Sequence, residues 1–153
     1  MKLTGPNKTA FSLTIVGYQY PAMATARYDS NWLDIHVEVT TPQGTWSTTD
    51  PCLLTYEVRT LADWLDAIDA HKSVNPICSF IEPCLRFELH TDGHGQQLLR
   101  ISFEQELRPP WAQANSTNQE DIWIEFPLTT TDIARAVQSL RAELERYPQR
   151  AEV

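Results

Sequence analysis

Glu104 and Glu106 stand two positions apart in the run Ile101-Ser102-Phe103-Glu104-Gln105-Glu106. If that run stays extended, both carboxylates share one face at roughly 7 Å, a spacing that suits one acid and one base flanking a glycosidic bond. A hydrolase built on the pair requires a cleft and a carboxyl of raised pKa. His90, Asp92 and His94 offer a second chemistry, a metal ligand set. The Asp92-Gly93 step forms a turn without any ion, however, so no metal is expected there. Cys52, Cys78 and Cys84 lack C-x-x-C spacing and read as small buried hydrophobes rather than nucleophiles or zinc ligands. A glycine-rich phosphate loop, a G-x-S-x-G elbow and an H-E-x-x-H helix are all missing from the sequence, and no cofactor is expected.

The remaining chemistry is that of binding. Alternation places Asp34, His36 and Glu38 on the wet side of one strand, and Glu88, Glu104, Glu106, Trp123 and Glu125 on the wet side of later ones, against Arg86 and Arg100. Carboxylates on neighbouring strands repel unless a cation sits among them. Arg86 and Arg100 can supply it, or the Lys and Arg of a partner. Trp32 and Trp111 lie beside turns, where a tryptophan either seals a core edge or, exposed, anchors an interface.

These side chains need strands to hold them. Phe11, Leu13 and Ile15 mark a strand over 10–17, and Leu33, Ile35, Val37 and Val39 mark the most regular one, which Thr41-Pro42-Gln43-Gly44 turns back into Thr45–Thr48. Asp50-Pro51 is expected to break that strand, which resumes over 52–58. Leu85, Phe87 and Leu89, a turn at Thr91–Gly95, and Leu99, Ile101 and Phe103 make a hairpin. Arg108-Pro109-Pro110-Trp111 ends it, a polar loop covers 112–120, and Ile122, Ile124 and Phe126 form a last strand stopping at Pro127. Thr60-Leu61-Ala62-Asp63 and Thr129-Thr130-Thr131-Asp132 are capping patterns for two helices. Leu61, Trp64, Leu65 and Ile68 stripe the first, and Ile133, Val137, Leu140 and Leu144 the second.

The order of four strands and a helix, twice over, predicts an α+β fold: an antiparallel sheet of about seven to eight strands with two helices packed on one face, in two layers. Residues 1–9 read as a flexible polar arm, 10–148 as one domain and 149–153 as a tail. With 12 Lys and Arg against 20 Asp and Glu, the net charge is −8, which argues against direct nucleic-acid binding and favours a basic protein as partner. Neither a signal peptide nor a membrane span is legible, so a cytoplasmic location is expected.

Tyr28-Asp29-Ser30-Asn31-Trp32-Leu33, Trp46 with Asp50-Pro51-Cys52-Leu53-Leu54, Leu61-Ala62-Asp63-Trp64-Leu65, Phe87-Glu88-Leu89 and Arg108-Pro109-Pro110-Trp111 together resemble the WapI-type family of bacterial immunity proteins, over about residues 10–147. The resemblance implies a small cytosolic protein that binds and blocks the toxic C-terminal domain of a contact-delivered toxin, commonly a nuclease. The leading expectation is therefore a non-catalytic immunity-type protein that occludes a basic, nuclease-like toxin domain, with Asp34, Glu88, Glu104, Glu106, Trp123 and Glu125 as its contacts. The alternatives are a small-molecule binding domain, which needs a deep apolar pocket between sheet and helices, and the Glu104/Glu106 hydrolase.

Overall fold

A computed structural model describes residues 1–113 and 120–151. Among the described residues, eight strands form two four-stranded antiparallel sheets. The first holds β1 (Lys2–Thr4), β2 (Ala10–Tyr18), β3 (Trp32–Thr41) and β4 (Gly44–Leu54); the second holds β5 (Ile77–Ser79), β6 (Leu85–Thr91), β7 (Gln97–Phe103) and β8 (Ile122–Pro127), each in chain order. Helix α1 (Thr55–Asp69) connects the sheets, a short α2 (Pro110–Gln113) precedes β8, and α3 (Ile133–Arg146) follows it.

The α+β class, the antiparallel pairing and the strand count are those expected. Where alternation suggested one continuous sheet, the strands divide into two. Period-two patterning shows that a strand has one dry side but not whether a helix or another sheet covers it. Here the dry sides meet: Phe11 of β2 lies edge-on to Phe87 of β6 with centroids 6.0 Å apart, and Trp46 of β4 lies edge-on to Phe103 of β7 at 5.4 Å. Leu61, Leu65 and Leu140 of the helices complete the same cluster. The space between the two sheets is occupied, with Phe11, Phe87, Phe103 and Phe126 fully buried, while a depression of about 800 Å³ lined in part by Ile68, His71, Gln97, Leu128 and Ile133 lies where the end of α1 and the start of α3 meet the second sheet.

Several boundaries differ from expectation. Residues 1–9 are not a loose arm at their start: Leu3 is buried and pairs opposite Phe11, because Met1 and Leu3 alternate with Lys2 and Thr4 as a short edge strand must. The strand is not broken at Asp50-Pro51. β4 runs through to Leu54 with a bulge opposite Leu33 to Ile35, and an edge strand tolerates a proline at such a point. The strand expected over 52–58 ends at Leu54 because α1 begins at Thr55, five residues ahead of the Thr60 cap. Glu57 sets that start by accepting the Leu54 N–H at 3.0 Å. Thr60 is interior and returns its hydroxyl to the Tyr56 carbonyl at 2.9 Å. In α3 the cap is Asp132, which accepts the Arg135 N–H at 3.0 Å.

The helices pack against one another, and Arg141 of α3 reaches Asp63 and Asp66 of α1 at 3.0 and 3.5 Å. The expected tail is docked as far as it is described: the Arg150 N–H donates to the buried Asn31 side chain at 2.9 Å, and its guanidinium lies 3.5 Å over the Tyr18 ring. Residues 114–119 of the expected polar loop lie outside the described residues.

Candidate partner-binding surface

The outer face of the second sheet is built from cross-strand rows. Glu88, Arg100 and Glu125 face one another across β6, β7 and β8, and Arg86, Ser102 and Trp123 form the adjacent row. Side chains opposite in register lie close enough to pair. Arg86 bonds Glu88 at 2.9 Å, and Arg100 bonds Glu125 at 3.2 Å while its guanidinium sits 4.1 Å from the centre of the Trp123 ring. Glu88, Glu125 and Trp123 are thus brought together as expected, but their carboxylates are already matched by cations of the same face.

Glu104 and Glu106 are not a strand pair. β7 ends at Phe103; Gln105 takes a left-handed backbone with φ of 51°, and Gln105–Leu107 is a single 3-10 turn, so the alternation is lost between the two glutamates. Glu104 bonds Arg108 at 3.3 Å. Both line a depression of about 670 Å³ with Thr48, Arg108 and Pro110.

Asp34 lies on the first sheet, whereas Glu88, Trp123 and Glu125 lie on the second. Its neighbourhood contains a group that reading the sequence missed. Asp50 has its carboxyl raised above the ordinary aspartate range, first by burial and then by the charges of Glu106, Glu82 and Asp34. Asp34, Glu82 and Glu106 therefore lie near enough to Asp50, where β4 passes its bulge, for their charges to act on it. The Asp-Pro step signals this irregularity once it is read as an edge-strand bulge.

Glu57 is buried and bridges two segments, accepting the Leu54 N–H and, at 2.7 Å, the Ile81 N–H. Burial raises its carboxyl, and the two hydrogen bonds oppose the shift. All three thiols are buried; Cys52 is pushed up by its contact with Cys84 and by burial, and Cys78 is pushed up to about 11 by burial. Asp92 accepts the His94 and Gln96 N–H groups at 2.8 and 2.9 Å, the turn chemistry expected of it, and those bonds hold its carboxyl below the usual range.

Trp111 is half exposed at 50%, and Trp123 at 44%, whereas Trp32 is half buried within the fold. Trp111 sits on α2 and stands edge-on to Trp46, with centroids 5.4 Å apart. It lies so close to Gly44 that a Cβ there would stand 3.1 Å from the indole, which gives that glycine a packing reason besides its turn. Arg108 is buried and holds the chain around this tryptophan, donating to the Ala112 carbonyl at 3.3 Å and the Glu120 carbonyl at 2.8 Å.

A model of the immunity protein WapI-like family matches residues 2–148. No curated protein and no solved structure matches the chain. With nearly its whole length covered by that match, the chain belongs to the immunity protein WapI-like family.

Proposed function

We propose that this chain is a non-catalytic immunity protein that neutralises a cognate toxin domain by covering the surface the toxin applies to its own substrate. The observation that carries the reading is the family match over residues 2–148, which supports an immunity role and a protein partner in general. Charge supports the finer step to a basic, nuclease-like toxin. A nuclease neutralises its substrate's phosphates with Lys and Arg, and a protein of net charge −8 is attracted to the same cations.

Within that reading the contacts are Asp34, Glu88, Glu104, Glu106, Trp123 and Glu125. Glu88 and Glu125, each already paired to an arginine, would set register at a rim, while the carboxylates near the β4 bulge supply the net attraction. Among the described residues no helix is long and apolar enough to cross a membrane. The cytoplasm, where an imported nuclease meets nucleic acid, is the compartment this function requires.

Co-expression with the toxin domain encoded beside this chain is the test. Growth restored to the level of cells without toxin is the expected result. Growth no better than with toxin alone would overturn the reading.

A further inference from the structure

Two depressions lie on either side of Trp123. One, of about 380 Å³, includes Arg86, Arg100, Glu104 and Asp121 in its lining, so cations and carboxylates balance there. The other, of about 240 Å³, has Trp111 and Trp123 among its walls together with Glu120 and Asp121. Among the described residues lining this second groove there is no Lys, Arg or His. It is therefore a small aromatic and acidic recess in a protein that is acidic overall.

Both tryptophans are held before any partner arrives. Trp111 is set by its contacts with Gly44 and Trp46, and Trp123 by its strand and by Arg100, which lines the first depression and not the groove. Arg108 bonds the main chain at both Ala112 and Glu120 and so ties the α2 side to the carboxylate side. Fixed aromatic faces beside carboxylates suit one class of side chain: a guanidinium or ammonium gains cation-π attraction from the indoles and ion pairing from Glu120 and Asp121. An anion would meet two like charges there, and an apolar side chain would desolvate two carboxylates without partnering them.

We propose that the groove between Trp111 and Trp123 is the docking point for an arginine or lysine side chain of a basic protein partner. The inference rests on the immunity reading and locates its central contact at Trp111, which the sequence offered as an anchor if exposed, with Glu120 and Asp121, which it did not single out, beside the expected Trp123. Preformed aromatic anchors carry a disproportionate share of binding free energy, and flanking charges chiefly govern encounter and its salt dependence.

The experiment measures Kd between the full chain and the toxin domain encoded beside it, by calorimetry at two salt concentrations, for wild type, W111A/W123A and E120Q/D121N. Glu120 and Asp121 are exposed, so the second variant tests the groove even if the first loses stability; thermal unfolding of each variant reports on its folding. The expected result is a loss of affinity of at least about thirty-fold for the tryptophan pair, the size of a hot spot. E120Q/D121N is expected to bind more weakly at low salt and to show a smaller salt dependence than wild type. If wild type binds and E120Q/D121N stays within about twofold of it at both salts, the groove proposal falls while the immunity reading stands. Failure of wild type to bind the toxin domain at all overturns both.

Discussion

The indole N–H of Trp46 donates to the main-chain oxygen of Leu107 at 2.9 Å, so a side chain from the edge strand of the first sheet holds the segment that leaves the second. Both residues are buried, so removing the donor leaves the Leu107 carbonyl without this partner. Trp46→Phe keeps the ring contacts with Phe103 and Trp111 in part but orphans the Leu107 carbonyl. A loss of about 1–3 kcal/mol is expected, measured by urea unfolding at unchanged m-value. A change within error would show that the bond contributes nothing to holding the two sheets.

Arg108 has a comparable but larger task, since its guanidinium serves the Glu104 carboxylate and the carbonyls of Ala112 and Glu120 from a buried position. Arg108→Met removes these bonds and keeps much of the apolar stem. The Glu104 carboxylate is 42% exposed and stays solvated when its partner goes, so the cost comes chiefly from main-chain carbonyls left without that donor, and a loss of about 1–3 kcal/mol in denaturant unfolding is expected. Trp111 emission should shift to longer wavelength as the main chain around it loosens. An unshifted spectrum in a folded variant would mean that Arg108 does not position this tryptophan.

Asp50 carries the clearest pH signature. Its folded pKa is raised above the ordinary 3.8, so its contribution to stability is fully present below that value and is lost as pH rises through the folded pKa. Glu57 has the same sign, raised by burial from its ordinary 4.5. Asp50→Asn removes one of these two slopes and relieves the repulsion with Glu106, Glu82 and Asp34. The variant's stability should therefore fall less than wild type's as pH rises from below 3.8 toward neutral, and at neutral pH it should be at least as stable. A wild-type and variant pair with parallel stability–pH curves would contradict the placement of Asp50 among those carboxylates.

Most elements were legible because their patterns are local. The hairpin of Leu85–Thr91 with Gln97–Phe103 and the strand from Leu33 to Val39 announce themselves by alternation, and the stripe of Leu61, Leu65 and Ile68 by helical spacing. The start of α1 was hidden because Thr60 offers a plausible cap, whereas the effective residue is Glu57, bonding back to Leu54. The site was legible in part. Glu88, Trp123 and Glu125 share a face because register follows alternation, but whether Arg86, two along the strand from Glu88, and Arg100, directly opposite Glu125, neutralise them or leave them to a partner depends on rotamers that a sequence does not display. The gathering of Asp34, Asp50, Glu82 and Glu106 joins residues from four parts of the chain, and no spacing rule reports that.

Glu57 has one more effect. A single carboxylate terminates the ladder at Leu54 and also holds Ile81, twenty-seven residues further on, so the corner that opens α1 and the segment leading into β6 share one acceptor. Each amide takes its own carboxylate oxygen, so loss of the one side chain removes a partner from both. The two segments are thereby coupled through Glu57, and faster amide exchange at both Leu54 and Ile81 is the expected signature of its replacement by alanine.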